Sequence, residues 1–148
     1  MSRFIFPYGI RFQENGHLEV FPAIEVLVIG KKRRGLRALF HIDSGATTTI
    51  LPASDAEFLR IDMKLGKKIL VRGIFGNPIE GYRHILTIQF NNHRMKIPAI
   101  FVEFNSIPRV LGREGIFNYF GILFDEPKHR TLFLDAEEER KTIDSLFE

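Results

Sequence analysis

Phe40-His41-Ile42-Asp43-Ser44-Gly45-Ala46-Thr47 sets one carboxylate and one hydroxyl on a glycine turn directly after an apolar strand. Leu39 to Ile42 reads as that strand and Asp43 to Ala46 as the turn. Thr48-Thr49-Ile50-Leu51-Pro52 follows as a second β-branched strand stopped by proline. Ser54-Asp55-Ala56-Glu57 then has the Ser-x-x-Glu form of a capping box, which predicts a short helix over Ser54 to Ile61. Asp-Ser-Gly alone is also a common turn, so the rest of the chain has to decide what the loop is for.

Downstream, Val110-Leu111-Gly112-Arg113-Glu114-Gly115-Ile116-Phe117 gives two apolar residues, a glycine, an arginine and a segment that predicts a helix over Glu114 to Phe120. Together the two blocks resemble the retropepsin-like aspartic proteases, single-domain relatives of the retroviral enzymes. That family is marked by Asp-(Ser/Thr)-Gly-Ala and, later, apolar-apolar-Gly-Arg. The resemblance runs from Pro22 to Asp135, with Gly121 to Pro127 and Arg130 to Leu134 as the closing strands. It implies a mainly β domain with a closed or nearly closed β-barrel core of the retropepsin (acid protease) type and short helices. It further implies a cofactor-independent endopeptidase that cuts extended polypeptides as a homodimer, one Asp43 coming from each subunit. A competing reading keeps the dimeric scaffold as a catalytically inactive module that grips a peptide without cutting it.

The resemblance also distributes roles. Asp43 is the catalytic carboxylate, Ser44 cross-links the two loops at the twofold axis, Gly45 lets the backbone pass close to the carboxylates, and Ala46 walls the substrate. Val71 to Gly81 reads as a glycine-rich hairpin with apolar Ile74 and Phe75 at its tip. The resemblance makes Gly73, Ile74, Phe75 and Gly76 the flap over the substrate. Gly112 and Arg113 support the catalytic loop, with one departure: retroviral members pair this arginine with an aspartate at the position held here by Thr47. That leaves backbone carbonyls or Glu114 for Arg113. Gly115, where a bulky residue is common, is a second departure. Strand alternation puts His41 on the same face as Asp43, where a cation would depress carboxylate pKa values and favour acidic or polar substrate side chains.

At 148 residues the chain suits one domain and is too short for a two-lobed enzyme of the pepsin kind, so a catalytic dyad needs a dimer. The absence of cysteine excludes thiolate catalysis and disulfide staples. His17, His84, His93 and His129 are dispersed without metal-ligand spacing, and no phosphate loop, Gly-x-Ser-x-Gly elbow or zinc-protease helix occurs. No apolar run reaches membrane-spanning length and the start lacks a signal peptide's apolar core, so the expected location is cytoplasmic, with no membrane partner. The net charge of +3 owes much to Lys31-Lys32-Arg33-Arg34, between Gly30 and Gly35. It reads as a solvated hairpin tip, with a nucleic-acid adaptor as the lesser reading and no nucleic-acid partner expected.

Alternation predicts further strands over Arg3 to Phe6, Gly9 to Gln13, His17 to Phe21, Ala23 to Ile29, Leu36 to Ile42, Lys68 to Gly73, Tyr82 to Phe90, Met95 to Phe104 and Thr131 to Leu134. Glu14-Asn15-Gly16 is a hairpin turn. A helix over Ala136 to Leu146 would start after Asp135 as cap, with Glu137 to Glu139 in its first turn. Residues 1–21 are N-terminal strands that either join the dimer interface or block the cleft.

Overall fold

The computed structural model describes residues 2–72 and 76–148. It is mainly β, as expected. The strands are β1 (Arg3–Pro7), β2 (Gly9–Phe12), β3 (Leu18–Phe21), β4 (Ala23–Ile29), β5 (Gly35–Ile42), β6 (Thr49–Pro52), β7 (Lys67–Val71), β8 (Ile79–Phe90), β9 (His93–Val102), β10 (Val110–Leu111), β11 (Phe120–Asp125) and β12 (Arg130–Asp135), with helices α1 (Ala53–Phe58) and α2 (Arg140–Ser145). In β4 the period of two is plain: Ile24, Val26 and Val28 turn into the core while Glu25 faces out.

Seven strands hydrogen-bond in the order β4-β5-β10-β6-β9-β8-β7, and β4 also pairs with β8. The pairings therefore run in a ring from which only β7 projects. Ile24, Val26, Val28, Phe40, Leu51, Ile88, Ile97, Phe101 and Leu111 fill the core with almost no exposure. Burying each such side chain favours folding by about 1.5–3 kcal/mol before entropy is counted.

A second sheet, ordered β1-β12-β11, packs on this core through aromatic side chains. Phe6 meets Phe133 at 5.1 Å between ring centroids and Phe4 meets Phe90 at 5.7 Å, both edge to face. Residues 3–7 are thus built into the domain. Ser2 Oγ and the Arg3 guanidinium both donate to the Glu139 carboxylate, at 2.6 and 2.8 Å, tying the two ends of the chain together. Hydrogen bonding from Arg3 and then Ser2 holds the Glu139 carboxyl down at about 2.

The two-stranded ribbon of β2 and β3 turns at Asn15-Gly16, with Gly16 at φ +80 and Asn15 Oδ1 accepting from His17 N. Ile10, Phe12 and Leu18 on one of its faces are more than half exposed.

Three local expectations fail. Glu114 to Phe120 is a succession of turns, not a helix: Gly115 sits at φ +78, and Glu114 N bonds across to Thr47 O at 2.8 Å, which removes the helical start. The C-terminal helix begins only at Arg140. Asp135 does cap, accepting from Glu137 N and Glu138 N, but what it closes is a turn, while Glu139 is drawn to Arg3. The Ser54 capping box is not formed. Helix α1 starts after Pro52, Ser54 N donates instead to Asn105 Oδ1 at 3.0 Å, and Arg60 at φ +59 ends the helical path before Ile61.

Candidate active site

The Asp43 loop joins β5 to β6, and the chain end of β10 lies against it. β10 runs parallel to β5, with Val110 opposite His41 and Leu111 opposite Ile42. Backbone bonds continue past the strands: His41 N donates to Arg109 O at 2.9 Å and Asp43 N to Leu111 O at 3.1 Å. The loop then turns on itself, Ala46 N donating to Asp43 O at 3.2 Å and Gly45 N to Asp43 Oδ1 at 2.8 Å. One carboxylate oxygen is thereby fixed by its own loop. Asp43 is half-buried, whereas Ser44 and Gly45 are exposed and Ala46 is partly covered.

The second block braces the first. Arg113 N donates to Ala46 O and Glu114 N to Thr47 O, at 2.9 and 2.8 Å, so the two loops are laced by their main chains. Gly112 is where they touch: a Cβ there would lie 2.5–2.8 Å from the backbone of Thr48, closer than any side chain tolerates. Its amide donates to Thr49 Oγ1 at 3.1 Å, a hydroxyl buried at the start of β6. At Gly45 a Cβ would stand 3.1 Å from Asp43 Oδ1, crowding the carboxylate itself.

The Arg113 guanidinium reaches Thr47 Oγ1 at 3.4 Å, a long bond to a neutral partner. Glu114 is engaged elsewhere, accepting from Thr48 Oγ1 at 2.9 Å and from Arg83 at 3.0 Å. The strong ion pair of this region was not legible in sequence. Arg109 binds Asp55 through two parallel bonds of 2.7 and 2.8 Å, and Asp55 is only 4% exposed. Hydrogen bonding to Asp55 raises the Arg109 guanidinium above its ordinary value. The pair ties α1 to the segment whose carbonyls at 109 and 111 accept from His41 N and Asp43 N. Its only sequence signal is an acid in the first turn of a short helix.

His41 stacks on Phe21 with 5.2 Å between ring centres and 19° between planes, and Phe21 in turn lies under the Arg11 guanidinium. Of the expected flap, Gly73, Ile74 and Phe75 lie outside the described residues. Gly76 is exposed at φ +109, and β7 and β8 lead into the hairpin with Val71 opposite Ile79.

A fold of this connectivity, carrying Asp-Ser-Gly-Ala where two laced loops meet, is that of the retropepsin-like aspartic proteases. Solved structures agree. A retropepsin-like aspartic protease from Rickettsia conorii superposes with a TM-score of 0.56 over 89% of this chain and 90% of its own, at 19% identity. The retroviral protease-like domain of Ddi1 from Leishmania major does so with a TM-score of 0.52 over 74% and 85%, at 17% identity. By sequence, no family model and no curated protein matches the chain.

Proposed function

We propose that the protein is an aspartic endopeptidase, active as a homodimer in which Asp43 of each subunit faces the other across a twofold axis. The observation that carries this reading is the Asp43 loop itself: a half-buried carboxylate with one oxygen fixed by Gly45 N, on a loop laced to Gly112–Glu114, in a retropepsin-like fold.

In the dimer two carboxylates close together share one proton and titrate as a pair. The ionised copy takes a proton from water as its oxygen attacks the scissile carbonyl carbon. The protonated copy hydrogen-bonds the carbonyl oxygen and supplies its proton as the tetrahedral diol forms. Collapse breaks the C–N bond while a proton passes to the leaving amine. The amine and carboxylic acid products leave the dyad as it began. Ser44 links the two loops, Ala46 walls the substrate, and the substrate is an extended peptide with apolar side chains at the cut.

The test is digestion of a diverse peptide pool at mildly acidic to neutral pH, read by mass spectrometry, for the wild type beside Asp43→Asn, with both shown to be folded dimers. Cuts that disappear in Asp43→Asn support the reading. Equal cutting by both, or none by the wild-type dimer, overturns it.

A further inference from the structure

At the end of β5 remote from Asp43, the β4–β5 hairpin turns through Lys32 and Arg33, at φ 50 and φ 60. A two-residue turn with positive φ at both central positions favours Asn-Gly, and two bulky cations are strained there. Glycines stand nearby at 30 and 35, but neither takes the left-handed positions. Next to this turn, α1 and its cap Leu59 are followed by Arg60 at φ 59, a place where helices usually put glycine. Of the five non-glycine residues with positive φ among the described residues, three are therefore cations of this one corner. Strain kept at one place is a pointer to function.

The charges are also unspent. Among the described residues, Lys31, Lys32, Arg33, Arg34, Arg60 and Lys64 enter no ion pair; Lys67, Arg94, Lys96, Arg113, Lys128 and Lys141 also enter none, but only here do six such cations gather at one corner. Nearby Asp62 is turned to Lys64 N, leaving Glu57 as the other acid of the stretch. The corner is firm, because Lys31 N donates to Leu59 O at 3.0 Å and Arg34 lies over the Phe58 ring. Apolar side chains project beside the cations: Phe58 is 48% exposed and Leu65 78%, and Leu65 lines a shallow concavity with Lys31 and Ile85.

We propose that this corner is a docking surface for an anionic phospholipid bilayer, its cations meeting headgroup phosphates while Phe58 and Leu65 enter the interface. Charge complementarity selects an anionic partner, and the apolar set selects lipid over nucleic acid. A single-stranded nucleic acid asks for several free aromatic faces, and here the one aromatic ring already carries Arg34 while its exposed neighbours are aliphatic. The eight residues of β5 span roughly 25 Å, so docking by the tip leaves the Asp43 loop directed away from the bilayer.

The test is cosedimentation of the full chain with vesicles of phosphatidylcholine alone and of phosphatidylcholine with phosphatidylserine. Retention is expected only on the phosphatidylserine vesicles and should fall with added salt. The combined change Lys31→Ser, Lys32→Asn, Arg33→Gly and Arg34→Ser is expected to weaken it ~100-fold or more. That variant has a relaxed turn, so a folding defect is not built into it. Leu65→Ser, with all charges kept, is expected to weaken retention several-fold, an effect that pure charge attraction does not produce. Absence of retention on phosphatidylserine, indifference to Leu65→Ser, or tighter binding to single-stranded RNA at the same ionic strength would overturn the proposal.

Discussion

The Asp43 corner and the basic corner stand at opposite ends of β5 and use backbone in opposite ways. Around Asp43, small residues let two loops come within bonding distance, and each unusual position is filled by the residue the geometry asks for: Gly112 against Thr48, Gly45 against Asp43, Gly115 at φ +78. Around Lys32, the geometry asks for Asn and Gly and the chain supplies Lys and Arg. One corner gives up side chains to fix a shape; the other accepts strain to display charge. Stability measurements should separate the two, since improving the residue fit has been left undone at only one of them.

The sharpest break is Gly112→Ala. With Thr48 backbone atoms inside 3 Å of the new methyl, the two loops must part, and a loss of more than about 3 kcal/mol in chemical denaturation is expected, with activity abolished. Retained stability would mean that the loops are not locked as described. Asp55→Ala comes next. It strands the partly buried Arg109 charge, and a loss of about 3 kcal/mol is expected, with Asp55→Glu recovering part of it. At the basic corner the sign reverses. Lys32→Asn combined with Arg33→Gly is expected to raise stability by about 1 kcal/mol in thermal or urea unfolding, and a decrease would remove strain from the account of this turn.

The smallest effect concerns the pH range over which either corner can be compared. Glu139 is held at about 2 when folded against 4.5 for the free side chain, so its contribution is complete above pH 4.5 and fades as pH falls toward 2. The gap in melting temperature between wild type and Glu139→Gln should therefore be widest near neutrality, narrow below pH 4.5 and close near 2. A gap that grew on acidification would contradict the Ser2–Arg3–Glu139 clasp.

Much of this was written locally. The Ala23 to Ile29 strand falls where alternation places it, and the Asn15-Gly16 turn where positive φ is cheapest, because both depend on neighbours in sequence. The Asp43 loop was legible as a turn between strands for the same reason. Glu114 to Phe120 was not legible, since its helical pattern is overruled by Thr47, Thr48 and Arg83, which lie more than 25 residues away in the chain. Ser54 and Glu57 spell a capping box, but Asn105 reaches the Ser54 amide first. The Arg109–Asp55 pair spans 54 positions and leaves no periodic trace at all. Local chemistry writes the strands and turns; the brace beneath the Asp43 loop is written by partners that meet only after folding.

β1 leaves the ribosome well over a hundred residues ahead of β12, its one strand partner among the described residues: Phe4 stands opposite Phe133. At translation speeds of about 5–20 residues per second, Phe4 and Phe6 wait roughly 6–25 seconds without the surface that covers them. For that interval the nascent chain is a client for any holdase that reads exposed aromatics, and a release of the chain truncated before β12 would leave an open, sticky edge.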